Sequence, residues 1–322
     1  MLRCTQYCLK EEVSIGRIEM EFRQLGENGP DIPVIGLGAW PIGGGMGAVD
    51  IKTAVSTIRY AIDQGVRLVD TAQAYRTSEL VLGKALRDGY RERCFLATKV
   101  SGGNYSRAAM RKAMDNSLRA LDVDYVDLYQ IHNWDSQMPL EEQMGILAEL
   151  RKEGKTRHIG VSNYSRQQLE DALAITRFQS IQPRYNLIDR EIEEEILPYC
   201  REEGIGVLAH SPLAKGLLTG KFKPQDTFPE DDERSRMERF QGDRFQQYVE
   251  VADRLSEIAL EKGITLVQLA IAWLLRDPGI TCILCGAKNQ AQVKDHIGAA
   301  GVSFSEDELG RIYNIVKDVP SR

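Results

Sequence analysis

Strand-like apolar runs that end abruptly on polar side chains recur along this chain and constrain its fold more than any other feature. Leu68 and Val69 close a short apolar run, and Asp70 follows where an apolar residue would be less costly to bury. A single aspartate there would be a turn former or a helix cap. Later runs end in the same way, on Lys99, His132, Ser162-Asn163, Gln182 and His210-Ser211. Parallel strands whose carboxyl ends meet at one site explain all of these endings together.

Strand-like and helical segments alternate from residue 34 onward, which is the pattern of a parallel sheet. The predicted strands are 34–37, 68–69, 94–99, 126–132, 158–161, 180–182, 206–209 and 281–285. The predicted helices are 50–64, 78–87, 107–121, 140–152, 166–175, 191–203, 247–262, 266–276, 291–299 and 306–317, the last capped by Ser305. Segments 21–25 and 31–35 predict a hairpin ahead of them. We therefore expect an α/β protein, a (β/α)8 TIM barrel with an N-terminal β-hairpin and two extra helices. A doubly wound open sheet is the alternative.

Composition narrows the class of protein further. The chain has 322 residues, of which 43% are hydrophobic and 27% charged, as in soluble globular proteins. The formal net charge of −6 argues against a nucleic-acid partner. No apolar run approaches the roughly 20 residues of a membrane-spanning helix. The six cysteines form no regular framework, which predicts reduced thiols in the cytoplasm. We expect residues 1–19 to be a disordered extension without a signal peptide, and 20–322 to form a single domain.

Two short motifs resemble known binding sites but lack the context that those sites require. Cys282 and Cys285 have C-x-x-C spacing within an apolar run, where residues three apart point to opposite faces of a strand. No second pair is spaced to complete a site, so we expect no metal. Gly43, Gly45 and Ala48 match a dinucleotide fingerprint, but a Trp-Pro pair precedes them and the next helix starts later. A flexible loop at the rim of a pocket fits this glycine-rich stretch better.

The alternation of strands and helices breaks between residues 221 and 244. This stretch is polar and contains two prolines and a run of Asp, Glu and Arg residues. Such a composition is typical of a solvated loop, and a mobile flap over a functional site has the same signature. Both interpretations stay open at this point.

Four residues at or next to neighbouring strand ends form a coherent acid–base group. Tyr75 holds its proton at neutral pH because the ordinary pKa of tyrosine is near 10. A nearby Lys99 ammonium would lower that pKa and make Tyr75 a better donor. Asp70 would keep Lys99 charged, and His132 could bind a substrate oxygen beside Tyr75. Each residue alone has a structural explanation, but together they suit the protonation of a developing alkoxide.

Several motifs follow one another along the chain. They are Asp70-Thr-Ala-Gln-Ala-Tyr75, Ser78-Glu-Leu-Val-Leu-Gly-Lys-Ala-Leu86, Thr98-Lys99, Asp127-Leu-Tyr-Gln-Ile-His132, Gly160-Val-Ser-Asn163, Gln182, Ser211-Pro-Leu213 and Gly286-Ala-Lys288. With these motifs in this order, the chain resembles the aldo-keto reductase superfamily, in its bacterial NADP-dependent form, over roughly residues 21–316.

The resemblance implies a barrel that binds NADP(H), in preference to NAD(H), without a Rossmann domain. It further implies hydride transfer to the carbonyl carbon of a small-molecule aldehyde or ketone, with Tyr75 protonating the oxygen. The positions that match cofactor contacts are Ser162, Asn163 and Gln182 for the carboxamide, Trp40 and Asp70 for the nicotinamide ribose, Ser211, Leu213, Gly216 and Lys221 for the pyrophosphate, and Gly286, Lys288 and Gln292 for the adenosine end. A cation at Lys288 would pair with the 2′-phosphate of NADP(H).

Three residues depart from the family pattern. Arg76 stands where many members have Gly, His210 replaces a Tyr that stacks on the nicotinamide, and His296 replaces an Asn that contacts adenine. These changes leave the affinity for the cofactor and its stacking open. The substrate pocket is expected to be lined by Trp40, Tyr75, His132 and Trp134 and by loops 41–49 and 221–244.

Two other functions compete with carbonyl reduction. The first is an aldolase on the same barrel, with Lys99 as a Schiff-base nucleophile. It leaves Ser162, Asn163 and Lys288 without a role. The second is a barrel that binds NADP(H) and reports redox state to a partner with little turnover. Such a sensor has no need of the acid Tyr75.

Overall fold

A closed barrel of eight parallel strands forms the centre of the molecule. The computed structural model describes residues 20–101 and 105–320. The expected 1–19 extension lies outside the described residues. The last strand pairs with the first barrel strand, with Ile283 opposite Ile35, so the sheet has no free edge. The predicted (β/α)8 barrel is confirmed, and the open-sheet alternative is wrong.

The strands follow the predicted order with ends that move by one or two residues. They are β1 (Phe22–Gln24), β2 (Asp31–Pro33), β3 (Ile35–Gly38), β4 (Leu68–Asp70), β5 (Phe95–Val100), β6 (Val126–Ile131), β7 (Thr156–Ser162), β8 (Ser180–Gln182), β9 (Gly206–His210) and β10 (Cys282–Gly286). Strands β3 to β10 form the barrel, and β1 and β2 form the predicted antiparallel hairpin.

The helices also follow the predicted order. They are α1 (Ile51–Asp63), α2 (Ser78–Ala85), α3 (Arg107–Leu121), α4 (Leu140–Lys152), α5 (Arg166–Ile175), α6 (Ile196–Glu203), α7 (Gly242–Glu261), α8 (Leu266–Leu275), α9 (Gln290–Ile297) and α10 (Glu306–Val316). Helices α7 and α10 pack on each other and are the two extra helices. Ser305 caps α10 in a capping box, as predicted.

One predicted helix is shorter than expected. Residues 191–203 contain a 3-10 turn at Glu191–Glu193, and α6 begins only at Ile196. Pro198 lies in the first turn of α6. Proline is tolerated there because the first backbone N–H groups of a helix have no partner within the helix, whereas it would break the interior of a longer helix.

The hairpin closes the amino end of the barrel. Leu25 and Ile32 are buried in a cluster with Leu68, Leu128 and Leu208 from the barrel strands. Cys282 and Leu284 of β10 join this inner cluster, whereas Ile283 and Cys285 pack in the outer cluster against the helices. The two cysteines therefore lie on opposite faces of β10, as the spacing predicted. The opposite, carboxyl end of the barrel is left for a site.

Within residues 20–101 and 105–320, no single helix is long and apolar enough to cross a membrane. Helices α7 and α8 taken together would be long and apolar enough, by length and composition only, but the chain bends by 86° between them.

Parts of the 221–244 segment pack onto the barrel, whereas many of its side chains are exposed, so the segment is a partly solvated loop. Phe222, Phe228, Phe240 and Phe245 form an aromatic cluster with centroid separations of 5.2–6.2 Å. Arg234 of the segment is bonded to Asp232, and both side chains are less than a tenth exposed. Burial of these groups on their partners holds the segment against the barrel.

A buried ion pair attaches the same segment to the loop after β8. Arg239 donates to both carboxylate oxygens of Asp189, at 2.7 and 3.0 Å. Burial alone would raise the pKa of Asp189, but the hydrogen bonds from Arg239 and Asn186 outweigh it and leave that pKa below its ordinary range. Asn186 also donates to Ser211 O at 3.0 Å. The ion pair thus links the segment to the start of the loop after β9.

Replacing Arg239 with methionine leaves the Asp189 carboxylate buried without its cation. We expect Arg239→Met to lower the free energy of unfolding by about 3 kcal/mol, because breaking a buried pair leaves an uncompensated charge. Chemical denaturation measures the change. The control is Arg311→Met, which breaks an exposed pair with Glu261 and should change stability little. Equal effects of the two substitutions would contradict the structural role of the buried pair.

Candidate active site

The carboxyl ends of the barrel strands open into one cavity of about 660 Å³, here called the barrel cavity. Its size falls within the range of small-molecule and cofactor sites. Every position matched to a cofactor contact lies on its wall: Trp40, Asp70, Ser162, Asn163, Gln182, His210, Ser211, Leu213, Gly216, Lys221, Gly286, Lys288, Gln292 and His296. Tyr75 and His132 are on the same wall. The residues come from many elements, so only the closed barrel brings them together.

Lys99 lies behind the cavity wall and is fully buried. Its Nζ donates to Asp70 Oδ1 at 2.5 Å, to Thr71 O at 2.8 Å and to Tyr75 Oη at 3.3 Å. Burial alone would lower the pKa of Lys99, but Asp70 and Tyr75 outweigh it and raise that pKa. The side chain is therefore an ammonium that stands directly behind the Tyr75 hydroxyl.

Asp70 accepts hydrogen bonds from several neighbouring strand ends. In addition to Lys99 on its Oδ1, its Oδ2 accepts from Gln182 Nε2 at 2.9 Å and from Gln130 Nε2 at 3.4 Å. Strands β4 and β5 are paired, with Asp70 opposite Ala97, so Lys99 follows two residues later on the adjacent strand. The parallel register thus creates the buried pair that the sequence predicted.

Tyr75 presents its hydroxyl to the cavity between two aromatic rings. Trp40 and His132 lie edge-on to it at centroid distances of 4.9 and 5.5 Å. Burial raises the pKa of Tyr75 above its ordinary value, and the opposing effect of Lys99 is smaller. The expected net lowering of this pKa is therefore wrong. The loss of hydration on burial disfavours the tyrosinate more than the Lys99 ammonium favours it.

His132 is neutral in this site. Burial, assisted by the Lys99 charge, lowers the pKa of His132 to about 3. Its Nδ1 lies 2.6 Å from Ser101 Oγ. An uncharged imidazole beside Tyr75 can share a hydrogen bond with a substrate oxygen, but it cannot act as a cation at neutral pH.

The three carboxamide positions are connected at the ends of β7 and β8. Ser162 Oγ donates to Gln182 O at 2.8 Å, and Asn163 Nδ2 donates to His132 O at 3.1 Å. Asn163 has a left-handed backbone with φ of 58°. These side chains place several amide and hydroxyl groups on one wall, which is the equipment needed to orient a primary amide.

Left-handed backbone conformations are concentrated in the loop after β9. Ser211, Ala214 and Lys215 have φ values of 58°, 46° and 56°, and Gly216 has 103°. A side chain at Gly216 would also approach the Phe222 ring to 3.2 Å. Non-glycine residues adopt such angles at a cost that is usually found at functional sites. Successive turns of this kind point backbone N–H groups into a concave surface that suits anions.

Cations gather at the far end of the cavity. Lys221, Arg234 and Lys288 all line it, and Asp232 is the carboxylate that partners Arg234. Burial, and then the Arg234 charge, lower the pKa values of Lys221 and Lys288. Lys288 Nζ donates to Met46 O of the glycine-rich loop. This end of the cavity favours an anionic group.

The glycine-rich loop does not have the strand–turn–helix geometry of a dinucleotide fingerprint. Pro41–Gly43 is a short 3-10 turn, and α1 begins only at Ile51. A Cβ at Gly43 would lie 2.1 Å from Tyr75 O, so glycine is required there by the close approach of the Tyr75 backbone. Trp40, Pro41 and Met46 line the cavity, and the loop forms part of its rim.

Some cavity residues escaped the sequence reasoning, and one predicted residue is elsewhere. Trp134 packs edge-on against Tyr164 at 5.3 Å and does not line the barrel cavity, so its place in the substrate pocket stays a prediction. The charged residues that were missed are Arg184, Lys215 and Asp295, whereas Glu233 and Arg234 lie in the 221–244 loop that was expected to line the pocket. Glu233 accepts from Trp40 Nε1 at 2.9 Å and from Lys215 Nζ at 2.6 Å. No strand-end signal marks these residues, because they lie in loops or on a helix.

The aldo/keto reductase family model matches residues 34–317, which span the barrel and almost all of its helices. The chain belongs to the aldo/keto reductase family. Members of this family are oxidoreductases that act on small carbonyl compounds and use nicotinamide cofactors. The barrel cavity, with its strand-end Asp70, Lys99 and His132 and the adjacent Tyr75, is thus the candidate active site of an oxidoreductase.

Related proteins match this aldo/keto reductase over nearly its full length. It is 38% identical to the aldo-keto reductase YhdN of Bacillus subtilis, covering 94% of this chain and 95% of that protein. It is similar in structure to the glycerol dehydrogenase AKR11B4 from Gluconobacter oxydans, with a TM-score of 0.83, 32% identity and coverage of 95% and 97%. The aldo-keto reductase AKR11C1 from Bacillus halodurans has a TM-score of 0.78 at 26% identity, with coverage of 92% and 97%.

The buried histidines of the site predict an acid-sensitive stability. The pKa values of His132 and His210 are lowered to about 3 and that of His296 to about 4, chiefly by burial. The unfolded chain binds protons at these imidazoles below about pH 6.5, whereas the folded chain does not. The contribution of these histidines to the free energy of unfolding is therefore complete above pH 6.5, and it falls as the pH drops toward 4. Melting temperatures between pH 7.5 and 5.5 measure this fall.

The matched variant is His296→Gln, which removes one of these titrating groups. Its melting temperature should fall less between pH 7.5 and 5.5 than that of the unaltered protein. Side-chain NMR of the histidines gives an independent reading, because His132 and His210 should show no titration in this range. A titration of either residue near pH 6.5 would contradict the assignment of neutral, buried rings.

Proposed function

We propose that this aldo/keto reductase reduces an aldehyde or ketone to an alcohol, with NADPH as the hydride donor and Tyr75 as the general acid. The observation that carries the proposal is the Tyr75–Lys99–Asp70 arrangement, which opens onto the same cavity as the amide-binding wall and the cationic end. A proton donor, a site for a primary amide and a site for an anion share one space, as hydride transfer to a carbonyl requires.

The residues of the cavity fit NADPH in the order that the family resemblance implies. Ser162, Asn163 and Gln182 would hold the carboxamide at the strand ends, and the left-handed loop from Ser211 to Gly216 would face the pyrophosphate. When bound, NADPH would supply the hydride. The protein would orient its nicotinamide beside Tyr75 and His132.

Tyr75 is the group that would deliver the proton. A carbonyl that gains a hydride becomes a strongly basic alkoxide, so a tyrosine of high pKa can still donate to it. The Lys99 ammonium, 3.3 Å from the hydroxyl, would stabilise the tyrosinate that remains. The neutral ring of His132 would share a hydrogen bond with the same substrate oxygen and fix its position.

The cationic end of the cavity favours NADPH over NADH. Lys221, Arg234 and Lys288 line that end, and Asp232 neutralises Arg234. Burial and the Arg234 charge lower the pKa values of Lys221 and Lys288. The negative charge of a bound phosphate would offset this lowering and keep both ammonium groups charged. NADH lacks the 2′-phosphate and would bring no anionic group to Lys221 and Lys288.

The two competing functions have less support. An aldolase needs an uncharged lysine that a substrate can reach, but Lys99 is sealed behind the wall and held as an ammonium by Asp70. A sensor with little turnover has no need of Tyr75 and Lys99 in hydrogen-bond contact. Free thiols at Cys94, Cys200, Cys282 and Cys285 are compatible with the cytoplasmic location that the sequence suggests.

Removal of the Tyr75 hydroxyl tests the general acid. Tyr75→Phe should lower kcat for carbonyl reduction by at least about 100-fold, because it removes the hydroxyl that the Lys99 ammonium supports as proton donor. The dissociation constant of NADPH, followed by tryptophan quenching, should stay nearly unchanged. Tyr90→Phe, which removes a hydroxyl bonded to Asp63 on the surface, is the control. Full activity of the Tyr75 variant would rule out Tyr75 as the acid.

Removal of the Lys288 charge tests the cofactor preference. Lys288→Ala should weaken NADPH binding by about 10-fold, since a charge-assisted hydrogen bond contributes on the order of 1.5 kcal/mol. NADH binding should change little. Lys294→Ala on the exposed face of α9 serves as the control. If the variant lost affinity equally for both cofactors, Lys288 would have no specific role at the phosphate.

A further inference from the structure

The side chain of Asn163 has a defined orientation at the cavity wall. Its Nδ2 donates to His132 O and to Asn133 Oδ1, both at 3.1 Å. A backbone carbonyl oxygen can only accept, so the nitrogen of the Asn163 amide must face His132 O. The amide oxygen Oδ1 consequently points the other way, toward the ring of His210.

The orientation of Asn163 determines the protonation of the His210 ring. His210 Nε2 lies 3.0 Å from Asn163 Oδ1, so this nitrogen must carry the hydrogen and donate it. Burial, together with the charge of Arg184, lowers the pKa of His210 to about 3, so the ring holds one proton. Its Nδ1 is then an acceptor, and Ser211 Oγ, 2.9 Å away, is the donor.

These contacts form a directed chain of hydrogen bonds from Ser211 through His210 to Asn163. Each member has one orientation, because the chain ends on a carbonyl oxygen that cannot donate. The Asn163 side chain is exposed at the wall, and hydrogen bonds restrain both ends of its amide, because Nδ2 also donates to Ser162 Oγ at 3.2 Å while Oδ1 accepts from His210. His210 Nε2 donates to Asn163 Oδ1 at 3.0 Å. The chain leaves one lone pair of that oxygen available to the cavity.

We propose that His210 is a positioning residue, which holds Asn163 Oδ1 toward the cavity as an acceptor for the N–H groups of a primary amide. The proposal rests on the proposed function, in which that amide is the nicotinamide carboxamide. It assigns His210 a task different from stacking, although a tyrosine that stacks occupies this position in related enzymes. The imidazole acts through its Nε2–H donor, and its ring area is secondary.

Two substitutions separate hydrogen bonding from stacking. His210→Phe keeps an aromatic ring and removes the donor, whereas His210→Gln removes the ring and keeps an N–H donor at similar reach. Tryptophan quenching gives dissociation constants for NADPH and for adenosine 2′,5′-bisphosphate, which has no nicotinamide. We expect the Phe variant to bind NADPH about 10-fold more weakly, with the bisphosphate unchanged. The Gln variant should recover most of the NADPH affinity.

The opposite pattern, with affinity retained by His210→Phe and lost by His210→Gln, would overturn the proposal in favour of stacking. Equal weakening of both probes would overturn it in favour of a general structural role. In the background of Asn163→Ala, His210→Phe should have no further effect on NADPH binding, and additive losses would contradict action through Asn163. Unaltered protein that binds no NADPH would overturn both the proposed function and this inference, whereas an unaffected Phe variant overturns only the inference.

Discussion

The ion pair between Lys99 and Asp70 is the interaction on which the rest of the site depends. Two charges at the centre of a barrel are costly to bury, and the cost is offset only when every donor and acceptor is used. Lys99 donates to Asp70, Thr71 O and Tyr75, while Asp70 also accepts from Gln182. The pair thereby ties β4, β5 and β8 together and holds an ammonium behind the Tyr75 hydroxyl. The fold and the proposed chemistry share this one contact.

The remaining machinery is arranged around that pair by two kinds of element. Strand ends supply rigid positions for the acid–base group and the amide-binding wall, as in other barrels of this type. Loops supply the surface that we propose for the pyrophosphate and the cationic end of the cavity. The 221–244 segment contributes Glu233 and Arg234 to the cavity and is anchored by the buried pair of Arg239 with Asp189. The buried Arg239–Asp189 pair thus fixes the position of the 221–244 segment, most of which lacks regular secondary structure.

The sequence predicted the barrel, the order of its elements and most of the cavity wall, because strand periodicity and strand endings are local signals. It failed where the deciding contact is distant in the chain. Arg239 of the 221–244 segment pairs with Asp189 in the loop after β8, and the composition of the segment gives no sign of this anchor. The pKa of Tyr75 depends on how completely the fold removes water from its hydroxyl, which no spacing of residues encodes.

Transfer of a labelled hydride tests the central claim most directly. The purified protein would be incubated with NADPH that carries deuterium on both C4 positions of its nicotinamide and with a panel of aldehydes and ketones, and the alcohols would be analysed by mass spectrometry. We predict an alcohol with one deuterium on the former carbonyl carbon. Alcohol without deuterium, or tight binding of NADPH with no alcohol from any carbonyl tested, would contradict the account of a reductase built on Tyr75, Lys99 and Asp70.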